Sequence, residues 1–198
     1  MKKIVLYFLL LSSMAGYAQT SVVSLYGHKK TTDGIYYKDL DNDLDYYVGT
    51  WEYVSGTTTL TIILEKRIMK HFQDNYNDYY EDILVGEYRY VENGVEKVNT
   101  LANISTIYDN AYEHYICGNA LVGQFSPRTV LTSFGDPNID IIGLECHMAF
   151  KRADENGVEK LHSNFIKTHE GVGPLDGPTP TVSQYTVPFG KYLLTKVN

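Results

Sequence analysis

In the segment DLDNDLDYYVGTWE, Asp41, Asp43 and Asp45 stand at alternate positions and Glu52 follows Asp41 by eleven residues. Those are positions 1, 3, 5 and 12 of a calcium-binding loop, whose carboxylates converge on a hard cation only when the chain turns sharply between them. The sixth position, where such a loop needs glycine, is Tyr46, and no helical pattern flanks the segment. Glu52 would also have to leave the strand it shares with Trp51. The segment therefore reads as a solvated acidic turn, and no metal is assigned to it.

The six histidines, His28, His71, His114, His147, His162 and His169, show no His-Glu-x-x-His and no Cys-x-x-Cys partner spacing. Strand alternation sends His114 and Cys117 to opposite faces, and the neighbours Cys146 and His147 likewise. There is no Gly-x-Ser-x-Gly elbow, phosphate loop or dinucleotide fingerprint, so no cofactor is implied and no catalytic residue is nominated. A hydrolase would need a carboxylate pair meeting across strands, or a histidine with an orienting acid. Among 24 acidic residues the pattern singles out none.

Tyrosine is the abundant chemical type, with 18 in the chain and doublets at Tyr36-Tyr37, Tyr46-Tyr47 and Tyr79-Tyr80. A wide apolar face with one polar tip suits recognition and carbohydrate stacking, and it also suits a β-strand. In NYNDYYED, tyrosines mixed with Asn and Asp fit either a sugar-binding rim or an acidic hairpin loop.

The elements that must position these residues are strands. MKKIVLYFLLLSSMAGYAQ has Lys2 and Lys3, an apolar run and then small residues, the plan of a secretory signal peptide with cleavage after Ala18. Removing residues 1–18 leaves 180 residues and moves the formal net charge from −7 to −9, since both lysines go. So acidic a chain is poorly suited to nucleic acid or anionic lipid, and no later stretch approaches the roughly 20 apolar residues of a membrane-spanning helix. The expectation is an exported protein, periplasmic or extracellular, with residues 19–198 as one domain. In an oxidising compartment Cys117 and Cys146 form a disulfide by default. Closing the 28 residues between them would stabilise the fold by about 3 to 4 kcal/mol on the chain-entropy model. The alternative is two buried thiols on different strands.

Period-two alternation recurs along the mature chain and long helical periodicity does not. Strands are read in TTTLTIIL, ILVGEYRYV, VEKVNTLANI, EHYICGNALVGQF, IDIIGLECHMAFKR, VEKLHSNFI and KYLLTKV. Asn93-Gly94 and Asn156-Gly157, each inside a copy of ENGVEK, mark tight hairpins. Residues 169–190 hold four of the six prolines and read as a long connector before the last strand.

Gly49, Thr50, Trp51, Gly56 and Thr57 resemble the first strand of calycin barrels, the lipocalin and avidin relatives. In those barrels the Trp plugs one end of the core and the Gly lets the backbone bend in beside it. Biotin pockets in that group are walled by several tryptophans, whereas this chain has one, and Tyr53 stands where the group places a polar pocket residue. YYVGTWEYVSGTTTLTIILEK, YYEDILVGEYRYVENGVEKVNT and KYLLTKV are similar to a family of small exported proteins of flavobacteria and their relatives, known only as a domain of unknown function. That resemblance implies an exported single domain and carries no site with it.

These readings give an all-β, antiparallel, calycin-like barrel or strongly curved sheet, with a two-sheet sandwich as the alternative. The function expected is a non-catalytic binding protein holding a small apolar or amphipathic ligand, with Trp51, Tyr53, Tyr88 and Tyr90 as candidate ligand-binding residues. If side chains fill the interior, the alternative is an envelope protein using Tyr-rich loops on a glycan or a protein. Convergent titratable groups in a cavity would favour the hydrolase.

Overall fold

Among the described residues, alternating burial resolves into eleven strands: β1 (Ser21–Ser24), β2 (Ile35–Lys38), β3 (Gly49–Ser55), β4 (Thr58–Gln73), β5 (Asp78–Glu92), β6 (Val95–Asn99), β7 (Ile116–Val122), β8 (Thr129–Phe134), β9 (Glu145–Arg152), β10 (Lys160–His169) and β11 (Gly190–Val197). The computed structural model describes residues 20–27, 33–139, 144–169 and 185–197. The signal-peptide reading of residues 1–18 and most of the connector read at 169–190 lie outside the described residues.

Antiparallel pairing runs β5–β4–β3–β11–β10–β9–β8–β7, and β7 pairs back onto β5 through Leu84↔Gly118 and Gly86↔Ile116. The ladder thus closes into an eight-stranded up-and-down barrel. A two-sheet sandwich is excluded, because its sheets would keep free edges. Only β5 is shared further: its edge opposite β4 takes β2 near Tyr80, β7 at Leu84–Gly86 and β6 at Arg89–Glu92. A Cβ on Gly86 would meet Leu64 Cδ2 at 2.6 Å and the Ile63 carbonyl oxygen at 2.8 Å, so glycine lets the wall close where β4 and β7 flank β5.

Asn93-Gly94 and Asn156-Gly157 turn with positive φ at both residues, 51° and 76° in the first and 51° and 79° in the second. That is the conformation two-residue hairpins require. LANI, read as part of a strand, is instead a 3-10 helix, Leu101–Ser105. It lies against β5, and tertiary packing there overrides the local strand preference.

Inward side chains in register build the core: Trp51 faces Ile62, which faces Tyr88, and Val130 faces Phe150, which faces Ser163. Trp51 closes one end. It is 0% exposed and its Nε1–H donates to the Tyr47 carbonyl oxygen at 2.7 Å, which holds the 3-10 helix Asp43–Tyr47 across the opening. The Arg152 guanidinium and the Lys196 ammonium lie 5.5 and 5.4 Å from the indole ring, placements that favour cation–π attraction. Gly49 has φ 133°, and a Cβ there would meet Lys196 Cε at 2.8 Å. The backbone thus bends in beside the Trp as the calycin resemblance implies.

The aspartates of the acidic segment fasten this plug. Asp39 accepts from the backbone N–H groups of Asp43 and Leu44, each at 2.9 Å, and from Lys66 Nζ at 2.9 Å. Lys66 also donates to Asp45 at 2.8 Å. Asp43 accepts from the Arg128 backbone N–H at 3.0 Å and from its guanidinium, which reaches Asp41 at 2.6 Å as well. Glu52 is elsewhere, on β3, accepting from Thr61 Oγ1 at 3.3 Å. The segment is thus a clamp neutralised by Lys66 and Arg128, and Asp43, expected in a solvated turn, is fully buried.

The far end is stoppered by aromatic side chains. Phe134, Phe165, Tyr185 and Phe189 have ring centroids 4.5 to 6.2 Å apart in their contacting pairs. The Asp136 carboxylate ties the exit of β8 to the approach of β11 by accepting from the Asn138 and Thr186 backbone N–H groups. Tyr88 donates to the Gly135 carbonyl and Tyr192 to the Pro188 carbonyl.

Replacing Trp51 by Ala should cost about 3 to 5 kcal/mol in denaturant unfolding, because a large buried ring leaves a cavity at the plug. Asp43→Asn should cost about 3 kcal/mol near neutral pH by leaving the Arg128 guanidinium without its buried partner. Burial raises the Asp43 carboxyl, but hydrogen bonds from Ser126 and Arg128 outweigh it and hold the group below its ordinary 3.8. Its contribution is therefore complete above about pH 4 and is lost as pH falls through the lowered value, so wild type and variant should converge in acid.

Candidate functional site

The four side chains nominated from sequence all lie in the barrel interior. Trp51 and Tyr88 are 0% and Tyr90 is 3% exposed; Tyr53, half-buried, packs edge-to-face on Tyr192 with centroids 5.0 Å apart. The tyrosine doublets are mainly structural too, since Tyr36, Tyr37, Tyr47 and Tyr79 are buried. Their hydroxyls serve the fold where they are bonded: Tyr36 donates to Asp82 at 2.6 Å and Tyr47 to the Arg128 carbonyl.

A groove of about 560 Å³ opens instead over the wall near the far end, lined by Tyr112, His114, Tyr115, Ser133 and His147 and also by the core residues Phe134, Cys146 and Tyr185. Its volume lies in the range of ligand pockets, about 300 to 1,000 Å³. Strand register places part of it: Cys117 faces Ser133, which faces His147, so the three side chains form an outward row across β7, β8 and β9. The other side is the 3-10 helix Ala111–Glu113, capped by Asn110 accepting from the Tyr112 N–H, and the His114-Tyr115 step into β7.

Beneath that step is a polar pair the sequence reading missed. His114 Nδ1 lies 2.9 Å from Glu87 Oε1, with side chains 2% and 1% exposed, while Glu87 Oε2 is buried without a partner among the described residues. Glu87 sits on the outer face of β5 with Ile83 and Val85, which join Ala111 and Cys117 in a small apolar cluster under residues 101–113. The signal was present in ILVGEYRYV, where apolar residues occupy both alternating faces, as they do when both sides of a strand are covered. The glutamate orients the imidazole, and the ring forms part of the groove wall.

His114 and Cys117, expected to diverge, both line the groove. His114 precedes β7, which begins at Ile116, so strand alternation does not reach it. The neighbours Cys146 and His147 do diverge in direction, Cys146 joining the main core while His147 stays outward beside Ser133, although both also border the groove.

The disulfide expectation is corrected. Cys117 and Cys146 are separate buried thiols. Cys117 belongs to the outer cluster on β7 and Cys146 to the barrel core on β9, so β8 and the thickness of the wall come between them. Cys117 Sγ bonds Ser133 Oγ at 3.1 Å instead. Burial pushes both thiols up, against opposing hydrogen bonds from Ser133 to Cys117 and from Tyr185 to Cys146, so neither is a ready thiolate nucleophile. Burial likewise pushes the Tyr112, Tyr115 and Tyr185 phenols up. They are neutral phenols at physiological pH, and the Tyr112 hydroxyl is already engaged by Glu81 at 3.0 Å. Among the described residues no group of three or more His, Cys, Asp or Glu could hold a metal ion, and no helix is long and apolar enough to cross a membrane.

A family model described as a family of unknown function, DUF6705, matches residues 1–197. No curated protein and no solved structure matches the chain.

Without reductant, a thiol reagent should label neither cysteine in the folded protein and both after denaturation. Absence of label in denaturant would show a disulfide and overturn the separation described here.

Proposed function

We propose, for a chain that belongs to the family of unknown function DUF6705, an exported, non-catalytic binding protein that takes a small hydroxyl-bearing, amphipathic ligand into the groove of the barrel wall. The observation that carries this reading is the contrast between the two spaces. The barrel axis is occupied by Trp51, Tyr88, Phe150 and Phe165, all fully buried, whereas the groove leaves about 560 Å³ open among tyrosines and histidines.

Tyr112 and Tyr115 offer ring surface for an apolar face of the ligand, as aromatic linings do in recognition sites. His114, held by Glu87, and His147 supply polar contacts that set its orientation. The Glu87-oriented His114 and the titratable groups beside it in the groove are the arrangement that would favour a hydrolase. Ser133 Oγ, however, is engaged by Cys117 and burial raises both thiols, so none of these groups is an activated nucleophile, which supports binding over catalysis. Export rests on the leader-like residues 1–18.

Native mass spectrometry of the protein recovered from its host's exported fraction tests this reading. An adduct released on denaturation is expected, and His147→Ala, an outward substitution that spares the core, should weaken its retention at least about tenfold. Tyr53→Ala, inside the barrel, should leave retention intact. The reverse pattern would place the ligand in the barrel mouth, and a bare polypeptide of both wild type and variants would argue for a surface role without a small ligand.

A further inference from the structure

The outer wall carries a second hollow, of about 420 Å³, lined by Thr129, Ala149, Lys151, His162, Asn164 and Lys191 among others. Register makes it a planned surface: Lys151 faces His162, while Ala149 faces Asn164, which faces Lys191. The small side chain of Ala149 leaves the depression, and polar and cationic groups ring it. Lys151 and Lys191 stand two strands apart and two residues out of register, roughly 12 Å.

In this chain 24 acidic residues face 17 basic ones, and most of the described cations are held by carboxylates. Lys66, Arg67, Arg89, Lys97, Arg128, Arg152, Lys160 and Lys196 are all in ion pairs with carboxylates. Lys38, Lys70, Lys151 and Lys191 have no ion pair among the described residues, Lys70 donating instead to the Tyr108 carbonyl, and of these Lys151 and Lys191 edge this hollow together. Glu145, the acid on the same outer face of β9, is six residues from Lys151, roughly 20 Å along the strand. Two cations left uncompensated over one concave surface set up a local field opposite to that of the whole protein.

We propose that this face of β8–β11 binds a linear polysaccharide bearing carboxylate or sulfate groups, with Lys151 and Lys191 pairing with successive charges and Asn164, Thr129 and His162 bonding the sugar hydroxyls between them. The inference is independent of the ligand assigned to the wall groove. Charge density selects the partner. Duplex nucleic acid presents a charge about every 1.7 Å and is held by many cations, and anionic membrane surfaces call for clusters of about four to eight basic residues. Two lysines roughly 12 Å apart match neither, and they suit a chain whose charges are spaced by sugar units.

Titration of the full mature protein with oligomers of a polyuronate and of a sulfated galactan, followed by calorimetry and by backbone amide shifts, tests the proposal. Binding should perturb β9–β11 around Ala149, Asn164 and Lys191, weaken steeply as salt is raised, and fall roughly tenfold or more in K151Q/K191Q. Both substitutions are at exposed positions, so the variant's unfolding curve should match that of wild type. His147→Ala should leave this binding unchanged, which separates the site from the wall groove. Failure to bind either oligomer, equal binding of a neutral dextran oligomer, or an unaltered affinity in K151Q/K191Q would overturn it. Tighter binding of polyglutamate, of inorganic sulfate alone or of phosphatidylglycerol vesicles would overturn it in favour of an acidic peptide, a single-anion site or a membrane surface.

Discussion

With Trp51 buried in the barrel and its indole N–H held by the Tyr47 carbonyl, the 3-10 helix Asp43–Tyr47 has to lie across that end. Once it does, its carboxylates and free backbone N–H groups are brought out of water and must be satisfied. Asp39, Lys66 and Arg128 do so, through bonds spanning up to 87 residues of sequence. The plug is therefore a coupled unit, in which indole, helix and ion pairs each need the others in place. It leaves the strands free to keep a regular alternation above it.

Closure at both ends decides where recognition can occur. Tyr88, Phe134, Phe165 and Tyr185 occupy the far half of the lumen, so its aromatic content is spent on packing. The outside of the wall is not uniform, because β5 has β2, β6 and β7 along one edge and residues 101–113 over its outer face. That covering creates a second apolar cluster, buries the Glu87–His114 pair and raises the rim of the groove. A strand covered on both faces thus produces a wall with relief, and relief is what an up-and-down barrel with a filled interior needs in order to recognise anything.

Much of the strand layout was legible in the chain. Period-two runs located most of the strands, both Asn-Gly turns fell where their positive φ is used, and Gly-Thr-Trp marked the plugged end. The 3-10 helix Leu101–Ser105 escaped because its sequence has ordinary strand content and only the adjacent β5 makes the helical turn favourable. The groove escaped for a related reason: His114, Ser133, His147 and Tyr185 are far apart in sequence, and no local period links them.

The sequence by itself determined the class of fold, since alternation and turn chemistry act between near neighbours, and it determined the acidic balance that limits the partners. Tertiary structure alone decided which side chains meet. The register between strands put Cys117 and Cys146 on different faces of the wall, turned the aspartates at alternate positions into a clamp for Lys66 and Arg128, and left Lys151 and Lys191 without acids. Each of these depends on pairing between segments tens of residues apart, where long-range packing sets distances that no local preference encodes.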